Sequence, residues 1–151
     1  MKSTEIVQTL NELVEISKDG QYGFGFCASH AESAALKLFF QGRAAEFASA
    51  VSELQNLVAE QGGKPVLHGT ATGAVHRGWI RVKDTLGGTN DPDLLDDCER
   101  GEAQTLKRFR TAANDARLPE GVRATLGRYA DATQRCLDQA RRLRDGLRTA
   151  A

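Results

Sequence analysis

The chain has 151 residues, long enough for one domain with a sizeable core, and its 20 basic and 20 acidic residues cancel to a formal net charge of zero. That balance argues against a nucleic-acid or membrane-surface partner, since either calls for uncompensated basic charge. Only three prolines and 6% aromatics, with abundant Ala, Leu, Arg, Glu and Gln, point to helix. The start MKSTEIVQTL lacks a signal peptide's basic region and continuous apolar core, and no apolar run approaches a membrane span. The three cysteines are widely spaced with no CxxC, which suits reduced thiols in a cytoplasm. The expectation is a cytoplasmic all-α protein forming one domain over residues 1–151.

Four stretches carry apolar or small residues at alternating spacings of three and four, the signature of a helix with one buried face. The first runs through Ile6, Leu10, Leu13, Ser17, Gly20, Phe24, Cys27 and Ala31. Only SHAESA separates it from the second, so those two helices should be antiparallel neighbours. The second runs through Leu36, Phe40, Arg43, Phe47, Ala50, Leu54, Leu57 and Gln61, and Gly62, Gly63 and Pro65 end it. From Lys64 to Gly88 follows a long connection containing a helix-like segment, roughly Ala71 to Leu86, with Val75, Trp79, Val82 and Leu86 in a short stripe.

Gly87, Gly88, Asn90 and Pro92 form the next break, with Asp91 expected as N-cap of the third helix and Pro92 in its first turn. The third stripe is Leu95, Cys98, Glu102, Thr105, Phe109, Ala112 and Ala116. Leu118-Pro119-Glu120-Gly121 turns the chain into the fourth, through Val122, Leu126, Tyr129, Thr133, Cys136, Ala140, Leu143 and Leu147. Four such helices read as a four-helix bundle. The long crossover lets the third start at the same end as the second, which is the ferritin-like topology.

Four segments carry a resemblance: KDGQYGF (Lys18 to Phe24), RAAEFASAVSELQ (Arg43 to Gln55), GAVHRGW (Gly73 to Trp79) and ERGEAQ (Glu99 to Gln104). In this order they resemble an uncharacterised bacterial family of ferritin-like four-helix bundles, domain of unknown function 2383. HRGW followed by ERGE is the most specific part, and the resemblance spans nearly the whole chain. It implies a ferritin-like fold and a dimer or larger assembly, and no established activity. Distant ferritin-like relatives include stress-induced bacterial proteins, which suggests a stress association by analogy.

The chemistry usual in ferritin-like bundles needs one Glu from each of two helices and Glu-x-x-His from each of the other two. Here Glu46 is followed three residues later by Ser49, the comparable fourth-helix pair is Gln134 and Leu137, and the first helix offers Gly20 and Gln21. Glu46, Glu99 and Glu102 remain as candidates for a reduced iron or manganese site. The competing reading is an ion pair. If the second and third helices run parallel, Arg43 and Glu102 lie at the same depth on otherwise apolar stripes, and a guanidinium fork satisfies a buried carboxylate. On that reading no cofactor is expected, and Glu99 is the more exposed of the two third-helix glutamates.

His30, His68 and His76 lack the spacing of a zinc site. His76, Arg77 and Trp79 are expected to anchor the crossover to the bundle, or alternatively to contact an anionic ligand beside an aromatic wall. Cys27, Cys98 and Cys136 fall on stripe positions and should be buried and inert. In the last helix Arg128, Arg135, Arg141, Arg142, Arg144 and Arg148 interleave with Asp131, Asp138 and Asp145, a compensated charge surface facing solvent or another subunit. The functional expectation is a non-catalytic structural or partner-binding homodimer. Its alternatives are a carboxylate-bridged metal protein handling iron or peroxide, and a small-ligand bundle with a pocket near Gly20 and Ser17.

Overall fold

Long amphipathic stripes build a bundle only if each apolar face meets another, and the computed structural model has four long helices arranged in this way. It describes residues 1–65 and 90–150, where α1 (Ser3–His30), α2 (Ala34–Glu60), α3 (Asp91–Ala113) and α4 (Glu120–Ala150) supply the regular structure. The described residues contain no strand. The expected crossover helix, with His76, Arg77 and Trp79, lies outside the described residues.

α1 and α2 form one antiparallel pair, and α3 and α4 the other. Phe24 of α1 is the hub of the first pair, with ring centroids 6.5, 6.2 and 5.9 Å from those of Phe39, Phe40 and Phe47 of α2. Phe109, Leu94, Leu95 and Leu126 fill the second pair and meet the first in one continuous core. Each such large side chain, fully withdrawn from water, contributes roughly 1.5–3 kcal/mol to the hydrophobic driving force.

Helix α1 runs unbroken through Gly20, Gly23 and Gly25, although each glycine costs about 1 kcal/mol of helix propensity relative to alanine. At Gly20 the reason is close approach. A Cβ there would lie 2.7 Å from Cε2 and Cζ of Phe47, so the missing side chain lets the ring of α2 seat against the α1 backbone. That ring fills the space where an internal pocket was considered from sequence, and the Ser17 hydroxyl donates back to the Leu13 carbonyl at 2.8 Å.

The helix ends are chemically specified. Ser33 caps α2, its hydroxyl accepting from the Leu36 amide. The far end of α2 closes in a Schellman motif: Gly62 takes φ +80°, its N–H donates to Ala59 O, and Gly63 N–H donates to Val58 O at 3.0 Å. At α3 the cap is Asn90 rather than Asp91, because the Asn90 side chain accepts from the Asp93 amide at 2.9 Å. Asp91 is thereby released for a tertiary role. Its carboxylate accepts from the backbone N–H groups of Glu32 and Ser33 at 2.8 and 3.0 Å, tying the start of α3 to the α1–α2 turn.

This tie sets the direction of the bundle. α2 and α3 begin at the same end and run parallel, while Arg108–Glu12 and Arg128–Glu53 contacts show α1 antiparallel to α3 and α2 antiparallel to α4. Past the Schellman turn, Gly63 packs on Val7 and the Lys64 carbonyl accepts from Asn11, so the chain leaves α2 on the α1 side. Among the described residues no helix is long and apolar enough to cross a membrane.

Candidate functional site: the buried Arg43–Glu102 pair and the α2–α4 seam

Because α2 and α3 are parallel, equal distances from their starts become equal depths in the bundle. Arg43 and Glu102, 6% and 0% exposed, meet there. Arg43 Nε–H donates to Glu102 Oε2 at 2.9 Å and Nη2–H to Oε1 at 3.3 Å, a two-point fork onto the carboxylate. Nη2–H also reaches Thr133 Oγ1 of α4 at 2.9 Å, and Nη1–H reaches Glu46 Oε2 at 3.1 Å. The guanidinium lies over the Phe47 ring, 4.1 Å from its centroid. Three helices thus converge on one cation.

Thr133 completes the network in a way that sequence periodicity does not reveal. Its hydroxyl donates to the Tyr129 carbonyl at 2.7 Å, so its oxygen is free to accept from Arg43. A threonine on an apolar stripe is otherwise read as a small core residue with its hydroxyl bonded within its own helix. Cys136 of α4 lies close enough to Glu102 to act on its carboxyl.

Burial raises the Glu102 carboxyl above its ordinary value, and Arg43 and the Cys136 thiol oppose that shift without cancelling it. Burial likewise works against the Arg43 charge, but the Glu102 and Glu46 carboxylates oppose it and hold the guanidinium above its ordinary value. The Cys136 and Cys98 thiols are pushed well up, first by burial, which keeps them protonated. Cys27 and Cys98 are in contact, sulfur to sulfur at 3.5 Å, and all three cysteines are buried and free.

Glu46, Glu99 and Glu102 do not converge. Glu46 is 60% exposed and Glu102 fully buried, and the Arg43 guanidinium bonds to both. Glu99, one turn before Glu102, pairs instead with Arg141 at 2.8 Å and with Arg144. Among the described residues no group of three His, Cys, Asp or Glu is placed to hold a metal ion. Iron or manganese does not fit this donor set, because a fixed cation already bonds both Glu102 and Glu46.

The basic residues of α4 have a more local task than sequence suggests. Arg144 and Arg148 both reach Asp96, at 3.3 and 2.7 Å, while Arg141 and Arg144 hold Glu99, so part of this charge surface fastens α4 to α3. His30, at the C-terminus of α1, stacks on Phe26 with centroids 4.0 Å apart.

The α2–α4 seam is packed far more sparsely than the α1–α2 and α3–α4 pairs. Two polar struts cross it: Arg43 to Thr133, and the Tyr129 hydroxyl with Arg128 to Glu53. Between the struts lies a cavity of about 250 Å³ walled by Phe47, Ala50, Phe109 and Ala132. Beyond Arg43 a second cavity of about 350 Å³ extends toward Leu38, whose side chain is 70% exposed. The Tyr129 phenol is raised above its ordinary value, first by burial and then by its bond to Glu53. The Glu53 carboxyl is lowered, first by that same bond.

Fold and site together define a helical bundle centred on a buried, multiply bonded Arg–Glu pair. A family model described as Domain of unknown function (DUF2383) matches residues 5–115, and the chain belongs to that family. The matched region contains Arg43, Glu46, Glu99 and Glu102; Tyr129, Thr133 and Cys136 lie beyond it. Comparison with curated proteins finds no match.

Proposed function

We propose that this protein is a cytoplasmic, non-catalytic ferritin-like bundle that works as a binding module, assembled as a homodimer and associated with stress physiology. The observation that carries the reading is the Arg43 guanidinium bonded to Glu102 and Glu46 at the bundle centre, where a ferritin-like metal would need those carboxylates free. The parallel setting of α2 and α3, joined through Asp91 to the α1–α2 turn, supports the one-crossover ferritin-like topology. The balance of 20 basic and 20 acidic residues gives no excess of basic charge of the kind nucleic acid calls for. The sparsely packed α2–α4 seam, with Leu38 exposed beside it, supports a binding role over a purely structural one.

Two measurements test this reading. Elemental analysis of protein purified without chelators should find no stoichiometric iron or manganese. The mass in solution should be twice the 16.4 kDa of one chain. One iron or manganese per chain would overturn the non-catalytic reading, and a monomeric mass would overturn the dimer.

A further inference from the structure

The hydrogen-bond inventory of Arg43 leaves one donor over. A guanidinium carries five N–H groups. Nε–H and one Nη2–H go to Glu102, the other Nη2–H goes to Thr133, and one Nη1–H goes to Glu46. The second Nη1–H has no acceptor among the described residues. Arg43 is only 6% exposed, yet it lines both cavities of the α2–α4 seam, and Nη1 is the nitrogen on the side of Glu46, which lines them with it. Arg43 thus keeps one N–H in reserve at the border of a cavity walled by Phe47, Phe109, Ala50 and Ala132, with Ser49, Glu53, Tyr129 and Thr133 at its polar edge.

We infer that the cavity between the two struts is a binding site for a small, neutral, largely apolar molecule carrying one hydrogen-bond acceptor, seated with that acceptor on Arg43 Nη1–H. Size, shape and charge each narrow the class. An engineered cavity of about 150 Å³ accommodates benzene, so about 250 Å³ holds a single ring with a short substituent. Aromatic and methyl walls suit the ring. Anions are disfavoured, because Glu102 and Glu46 already neutralise Arg43 and bring a net negative charge to the site. Cations are disfavoured because the open position is a donor, the Arg43 Nη1–H, which a cation cannot accept from. A ketone, ester or amide oxygen on an aryl or short alkyl body remains.

The inference rests on the binding-module reading and names a site for it, but its test is independent of metal content and solution mass. The probe is acetophenone, titrated into the full-length protein and followed by backbone amide chemical shifts. Propylbenzene, of similar size without an acceptor, and benzoate, with a charged one, serve as comparators. Acetophenone should shift Ala50, Ala132 and Thr133 above all others and bind about tenfold more tightly than propylbenzene, the ratio expected for one hydrogen bond to a charged donor. Ala132→Leu, which grows a side chain into the void, should abolish those shifts with the fold intact. Glu46→Gln, at a 60% exposed position, loosens the hold on Nη1 and should strengthen acetophenone binding and admit benzoate. Equal binding of acetophenone and propylbenzene would overturn the role of Arg43. Shifts that are absent, scattered over the surface or unchanged in Ala132→Leu would overturn the site. A solution mass altered by Ala132→Leu, with no acetophenone binding to the parent, would overturn it also and assign the seam to a second copy of the chain.

Discussion

Replacing Arg43 with methionine isolates the energetics of the core pair, because the thioether keeps most of the side chain's length and deletes its charge. Glu102, with no exposure at all, would lose both of its guanidinium bonds. Glu46 is largely solvated already, and Thr133 keeps its bond to the Tyr129 carbonyl, so the loss concentrates on one carboxylate. Removing one member of a buried pair costs about 3–5 kcal/mol. Against a total stability of roughly 5–15 kcal/mol that is severe but survivable. At about 2–4 °C per kcal/mol for a chain of this size, the melting temperature should fall by roughly 6–20 °C. Circular dichroism at 222 nm, by heat and by urea, reads both quantities.

The pH dependence carries a sign that a simple packing loss does not share. Burial already raises the Glu102 carboxyl, and without Arg43 it rises further. In the window between the parent's raised value and the variant's still higher one, the variant's native state binds a proton that the parent's native state has released. The variant's deficit should therefore be largest above the window and shrink by about 1.4 kcal/mol per pH unit on descending through it. Adding Glu102→Leu removes the stranded carboxylate, and the double variant should recover most of the lost stability. A loss below about 1 kcal/mol for Arg43→Met, or a double variant showing the plain sum of the two single losses, would refute the pair as an energetic unit.

The close approach at Gly20 predicts that Gly20→Ala destabilises by about 1–3 kcal/mol, despite alanine's better helix propensity, because the Phe47 ring it meets is held between Phe24 and Arg43. Combining it with Phe47→Leu should return part of that loss in urea titrations. At the seam, the raised Tyr129 phenol contributes stability that is complete below its ordinary value of about 10 and is lost as pH climbs through the native value. Absorbance at 295 nm should show a tyrosine ionising late, together with unfolding, and Tyr129→Phe should remove that step. The buried, protonated thiols of Cys98 and Cys136, with Cys27 beside them, should react with a bulky thiol reagent only as fast as the protein unfolds. Rapid labelling at any of the three in the native protein would contradict their burial.

Local chemistry explains what could be read in the chain itself. Alternating threes and fours place α1, α2, α3 and α4 because helical periodicity depends on near neighbours alone. The short SHAESA link makes α1 and α2 antiparallel for the same reason: there is no length to do otherwise. Arg43 and Glu102 stand out because a charge on an apolar stripe conflicts with its surroundings and demands a partner. Even so, their pairing follows only once the two helices are parallel, and Asp91, misread from sequence as the cap of its own helix, helps to set that by bonding the α1–α2 turn.

Other features exist only between helices. Thr133 looks like any small stripe residue until α4 brings it 2.9 Å from a guanidinium. Glu99 looks like a second metal ligand until Arg141 and Arg144, more than 40 residues further along the chain, reach it from α4. Gly20 looks like room for a ligand until Phe47 packs against it, whereas among the described residues a void opens where α2 and α4 stand apart. Sequence by itself determined the helices, their apolar faces and the presence of a charge conflict, because those depend on spacing along one segment. Which carboxylate met the arginine, which donor was left over, and where space remained were decided by the tertiary structure, because burial and distance are properties of several segments at once.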